Sequence, residues 1–204
     1  MKKRKTYHHG DLKEALMDAA LRLIRSKGLR GFSLREAARE AGVAPSAPYR
    51  HYKHRKELLA SLAERSQIQL MQEVRVAVQN APDEPLERFK AVCGAYVSFA
   101  AHHPEQFVVI YDSEYMPSSK GDVRKEIEQE IKLLVKEVIG DVNHSQAASN
   151  RDVELTARAL VYGLCRQYVD GHFSRAGVGP ERATELANTV ATVLRFGLIP
   201  PPTT

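Results

Sequence analysis

The sequence contains no tryptophan, only two cysteines and 7% aromatic residues, and each scarcity closes off a class of protein. No apolar run nears the roughly 18 residues that a membrane helix needs, so no membrane partner is expected. Cys93 and Cys165 stand far apart without CxxC spacing, which excludes a disulfide-stapled fold and a cysteine zinc site. Each sits in an apolar helical pattern where a thiol packs as a small hydrophobe, and a reducing cytoplasm is the expected compartment. Lys2, Lys3, Arg4 and Lys5 lead into Tyr7, His8, His9 and Gly10 without an apolar stretch, so no secretory signal is expected. There is no glycine-rich phosphate loop. The densest polar spots, His102 with His103 and Asp170-Gly171-His172, have neither metal-ligand nor triad spacing, so no catalysis, cofactor or metal is expected.

What is present is helical periodicity, over 204 residues that suffice for a full core. No stretch alternates with period two, and the pattern predicts an all-α protein. Asp11 with Glu14 predicts the capped start of a first helix. Its apolar positions Leu16, Ala19, Ala20, Leu23 and Ile24 keep the 3.6-residue spacing up to Gly28. A long connector helix is predicted from Arg55 to Asn80, through Leu58, Leu62, Ile68, Met71 and Val78, and is stopped by Pro82 and Pro85. Further helices are predicted through Phe89, Val92, Cys93, Tyr96, Phe99 and Ala100, from Glu105 to Tyr111, and from Val123 to Val138. Polar loops are predicted around Pro117 to Gly121 and from Asp141 to Asn150.

The last two predicted helices, Arg151 to Phe173 and Pro180 to Leu198, carry apolar residues on more than one stripe. Leu155, Leu160 and Leu164 on the first, with Leu186, Val190, Val193 and Leu194 on the second, are wide enough to need two partners. One face is expected on its own domain and the other in a four-helix homodimer interface, the alternative being a helix pair buried wholly within a monomer.

The segment Ser33 to Leu59, SLREAAREAGVAPSAPYRHYKHRKELL, carries the densest information. Ser33 and Glu36 have capping-box spacing, Leu34, Ala37, Ala38 and Ala41 form an apolar face, and Gly42 suits the left-handed residue that ends a helix. Val43 tucks under the turn and Pro45 opens a second short helix. This is a helix-turn-helix whose second helix carries Ser46, Tyr49, Arg50 and His51. Charge supports a nucleic-acid role: residues 1–56 hold 15 lysines and arginines against 5 acids, residues 57–204 hold 15 against 20, and the two parts give the chain's +5. A non-DNA helical scaffold or ligand-binding protein with a basic surface is the competing class.

The capped helix, Ala41-Gly42-Val43, Tyr49-x-His51-Tyr52, Lys53 and the Leu58-Leu59 pair, followed by a long connector, resemble the TetR family of bacterial transcriptional regulators. The opening YHHGDLKEAL and the segment ALVYGLCRQYVDG resemble a subgroup with a Trp-His-Gly signature. Here Gly163 stays, but Tyr162 stands for the His and Arg158 for the Trp. The resemblance implies a three-helix DNA-binding domain at 1–54, including the N-terminal arm, and a helical ligand-binding and dimerisation domain at 55–204. It also implies a ligand-responsive repressor that leaves a palindromic double-stranded operator when a small hydrophobic or aromatic effector binds.

Phosphate contacts are expected from Ser33, Arg35, Tyr49, Lys53 and Lys56, and base-edge contacts from Ser46, Ala47 and Arg50. His51 either meets phosphate or packs under the turn. Tyr52 is expected in the core. Lys2 to Lys5 form either a minor-groove arm or a solvated tail. Pro48 and Pro45 both fall in the first turn of the recognition helix, which is expected to survive them. If the helices pack as the family's do, Met71, Tyr96, Phe99, Phe107, Tyr111 and Tyr168 converge on an effector pocket, although aromatic residues at helical spacing also simply form core.

Overall fold

The computed structural model describes residues 9–112, 129, 133 and 150–196. These residues form helices joined by turns, with no strand among them, as the periodicity predicts. Helix α1 spans His9–Lys27, α2 Leu34–Glu40, α3 Arg55–Gln79, α4 Pro85–His102 and α5 Pro104–Tyr111. After the gap come α6 at Asn150–Val169, the one-turn α7 at His172–Arg175 and α8 at Ala183–Phe196, the last preceded by a 3-10 turn at Pro180–Arg182. The predicted helix from Val123 to Val138 lies outside the described residues except for Gln129 and Leu133, which are helical. The predicted loops around Pro117 to Gly121 and from Asp141 also lie outside them, as does the Lys2 to Lys5 arm; Asn150 is already the first residue of α6.

The bounds of α1 and α6 differ from the sequence reading, and α8 starts at Ala183 after a 3-10 turn where a helix from Pro180 is predicted. Helix α1 already includes His9 and Gly10, so the cap predicted at Asp11 falls inside the helix. The single helix predicted from Arg151 to Phe173 is divided at Gly171, which adopts φ +70°, a left-handed conformation that ends α6 and starts α7.

By packing, the chain forms two compact units, Met1–Ser66 with Glu105–Ser118, and Gln67–Pro104 with Ser119–Thr204. The first has a core built by Leu16, Ala20, Leu23 and Ile24 of α1, Phe32, Leu34 and Ala37, Tyr52, and Leu58, Leu59 and Leu62 of α3. Each such leucine withdrawn from water contributes about 1.5–3 kcal/mol before entropy is counted. Val109 of α5 is fully buried in the same cluster, so a segment far along the chain completes the core of the N-terminal unit.

In the second unit α4 packs on α6 and α8, and α6 on α8. The buried stripe of α8 is Ala183, Ala187 and Ala191, small residues at four-residue spacing that let α4 approach closely. Gly94 marks one close approach, since a Cβ there would stand 3.2 Å from Thr184 Cγ2. Phe89, Val92, Cys93, Val97, Phe99 and Ala100 fill the α4 side.

Candidate nucleic-acid interface

Local hydrogen bonding fixes α2 at both ends. The Ser33 hydroxyl accepts from the Glu36 N–H at 3.3 Å, while the Ser33 N–H and hydroxyl each donate to Glu36 Oε2 at 2.9 Å. Lys27 donates to the other carboxylate oxygen at 2.7 Å. These bonds, Lys27's first and Ser33's next, hold the Glu36 carboxyl far below its ordinary range, at about 2. At the other end Gly42 takes φ +71°, its N–H donates to Arg39 O at 3.0 Å and that of Val43 to Ala38 O at 2.9 Å. This pair of bonds satisfies carbonyls that the helix end leaves open.

The second element is a correction to the sequence reading. Instead of an α-helix starting at Pro45, a single 3-10 turn spans Ala47–Arg50. The cause is Pro48, which has no N–H to give to the carbonyl of Ala44, four residues back. That carbonyl is instead taken by Ala47 N–H at 2.9 Å, which is the tighter 3-10 pairing. Pro48 is itself buried, and its carbonyl accepts from both His51 and Tyr52 N–H groups at 2.9 Å. The proline thus serves as an inward plug that leaves its neighbours outside.

Of the residues expected to meet DNA, Arg35, Ser46, Tyr49, Arg50, Lys53 and Lys56 are exposed, Tyr49 by 49%. Ala47 and His51 are half-buried, the latter edge-on to Tyr52 with ring centroids 6.5 Å apart. Tyr52 is in the core. Ser33 is exposed, but both its donors are engaged by Glu36, so its direct effect is to fix the start of α2. The Lys53 backbone is held by its N–H bond to Glu57 Oε2 at 2.7 Å. Arg55, adjacent to these cations, turns inward: it donates to Leu29 O at 2.8 Å and lies 5.6 Å from the Phe32 ring centroid.

Arg39 is not among the residues that the sequence reading singles out. It is exposed and, with Arg35, Pro45, Ser46 and Tyr49, borders an open cleft of about 580 Å³. The signal was in the sequence, because Arg35 and Arg39 are four residues apart and share one helix face.

The six residues expected to gather at an effector pocket are divided between the two units. Phe107 and Tyr111 stack in the first, with ring centroids 4.4 Å apart. Met71, Tyr96, Phe99 and Tyr168 belong to the second, where Met71 and Phe99 are buried and the Tyr168 hydroxyl donates to Gly179 O at 3.2 Å. The second unit also has an open groove of about 630 Å³ with Ala77, Ala91, Gly94 and Ala95 among its lining residues, and none of the six lines it. Of the residues expected at a dimer interface, Leu155 and Leu160 are 50% and 42% exposed, and Leu164, Leu186, Val190, Val193 and Leu194 are half-buried. Among the described residues no group of histidine, cysteine and acidic side chains is placed to hold a metal, and no helix is long and apolar enough to cross a membrane.

Comparison with known proteins gives two domain matches. Residues 16–62 match the family described as bacterial regulatory proteins, tetR family, and residues 89–194 match the tetracyclin repressor-like C-terminal domain. Over 89 residues the chain is 38% identical to the HTH-type transcriptional regulator BetI of Rhizobium meliloti, a match covering 44% of this chain and 42% of BetI. The chain thus spans less than half the length of that relative. A solved structure of a protein of unknown function from Rhodococcus sp. RHA1 is 31% identical, with a TM-score of 0.68 over 93% of this chain and 98% of that one. The fold is also that of the transcriptional regulator FadR of Bacillus subtilis, solved in complex with stearoyl-CoA. There the TM-score is 0.64 at 18% identity, over 91% of this chain and 99% of that one.

Proposed function

The chain belongs to the TetR family of bacterial regulatory proteins, and we propose that it is a cytoplasmic, homodimeric repressor released from a palindromic operator by a small hydrophobic or aromatic molecule. The observation that carries this reading is the N-terminal unit. A capped α2, a proline-plugged turn and the exposed Arg35, Ser46, Tyr49, Arg50, Lys53 and Lys56 form a cationic surface on a buried core. Arg35, Tyr49, Lys53 and Lys56 take phosphates, with Ser33 fixing the helix they surround. Ser46, Ala47 and Arg50 face base edges, where an arginine can pair bidentately with guanine.

One short reading element per chain supplies little specificity, and two chains on half-sites about 34 Å apart supply more. The exposed Leu155 and Leu160 of α6, with Leu164 and the half-buried Leu186, Val190, Val193 and Leu194, support a second copy as the partner of α6 and α8. In this reading DNA recognition belongs to residues 1–54, and effector binding and dimerisation to residues 55–204. The effector is taken up in the second unit, with Met71, Tyr96, Phe99 and Tyr168 as its apolar and hydroxyl-bearing contacts. Its binding favours a spacing of the paired reading heads that misses the half-sites, relayed along α3.

The test is a gel shift with the DNA upstream of the protein's own gene, over a range of salt and with hydrophobic compounds titrated in. Salt-sensitive retardation, reversed by at least one compound, is expected. Retardation that no salt weakens would remove the phosphate reading. An effector that binds without changing operator affinity would remove the release mechanism.

A further inference from the structure

Helix α2 sorts its charges by side. Its acids, Glu36 and Glu40, are four residues apart and both are held by α1: Lys27 Nζ lies 2.7 Å from Glu36 Oε1, and Arg22 Nε 2.6 Å from Glu40 Oε1. Its arginines, Arg35 and Arg39, are also four residues apart but one position earlier, about 100° round the helix from the acids. Both are exposed, and among the described residues neither takes an ion pair. The nearest carboxylates in sequence, which could neutralise them, are occupied by α1.

The consequence appears in the cleft beside them. Arg35, Arg39, Pro45, Ser46 and Tyr49 line it, so two arginines, a serine and a tyrosine border an opening of about 580 Å³ with no acid in the lining. A guanidinium offers a planar fork of donors that fits the oxygens of a phosphate.

We propose that this cleft grips a backbone phosphate of DNA, with Arg39 and Arg35 as its paired cations and Arg22 and Lys27 as the groups that keep α2's own acids away from it. The proposal rests on the DNA-regulator reading and adds Arg39 to its contacts as a residue that positions the protein without reading sequence. Arg39 lies on α2, apart from the turn that carries Ala47 and Arg50, and so adds a backbone contact outside the element that reads bases.

The experiment is fluorescence anisotropy with the full chain, on a mixed-sequence duplex and on a high-affinity duplex selected from a random pool by the wild-type protein, across a salt series. Arg39→Ala is expected to weaken both duplexes by the same factor, on the order of 3–10-fold, and to reduce the slope of log K against log salt by about 0.9. Arg39→Lys keeps the charge and is expected to restore the slope. An unchanged slope in Arg39→Ala overturns the clamp, as does a loss confined to the selected duplex, which would make Arg39 a base reader. If the wild-type chain binds neither duplex in a salt-dependent way, the DNA reading itself falls and the clamp with it. A wild-type slope that survives Arg39→Ala intact removes the clamp alone.

Discussion

The guanidinium of Arg25, near the end of α1, is paired with the carboxylate of Glu105 at the start of α5, 80 residues later in the chain. The two ends are unequal: the Arg25 side chain is 74% exposed, that of Glu105 only 6%, and Glu105 Oε2 is buried without a hydrogen-bond partner. A buried acid with one oxygen unsatisfied depends strongly on the partner it has.

Removing that partner is therefore expected to cost more than an ordinary surface ion pair. Arg25→Ala should destabilise the protein by about 1–3 kcal/mol, less than for a fully buried pair because water screens the arginine end. Arg25→Ala in a Glu105→Gln background should cost much less. Chemical denaturation of the two single variants and the double variant measures the coupling, and additive losses would show that the pair contributes nothing.

Acid should weaken the α2 cap in a defined window. The Glu36 carboxyl falls from the ordinary 4.5 to about 2 in the folded protein, so it favours folding fully above about 4.5. That contribution is lost progressively as pH falls toward 2, once the folded form also takes up the proton. The wild type minus Glu36→Gln difference in denaturation midpoint should shrink across this range, and a difference independent of pH would contradict the assignment.

Arg50, exposed at the end of the 3-10 turn, should behave unlike Arg39. Arg50→Ala is expected to weaken the selected duplex by about 1–3 kcal/mol and to loosen base preference, with little effect on mixed DNA. Binding isotherms on both duplexes decide this, and equal losses would make Arg50 a phosphate contact.

Both thiols should be silent in the folded protein. Cys93 and Cys165 are buried, burial pushes each up to about 12, and neutral thiols are poor nucleophiles. A disulfide-exchange reagent at pH 8 is expected to label neither until denaturant is added. Rapid labelling of the native protein would show that one of them is accessible.

The connector α3 and helices α4 and α5 were legible because their apolar positions repeat at helical spacing between proline stops. The capping box and Gly42 were legible because each depends on residues within a few positions. The recognition element was read in the right place with the wrong geometry. Pro45 and Pro48 in a first turn predict a helix that survives them, whereas the missing N–H of Pro48 redirects the Ala44 carbonyl and tightens the whole element. Arg39 does not stand out in the sequence although its spacing from Arg35 is visible there, because nothing local shows that Arg22 and Lys27 hold the neighbouring acids.

The sequence alone determined the all-α class, the capped helix and glycine turn, the basic N-terminal segment and the family, since each follows from short-range periodicity, local hydrogen bonding or charge order. Only the tertiary structure decided that α5 completes the N-terminal core through Val109 and Glu105, and that the six aromatic and methionine candidates divide between two units. It also decided which α2 charges are paired with α1 and which are not. These outcomes depend on contacts between residues tens of positions apart, where burial and charge pairing are set by packing and leave no periodic trace in the chain.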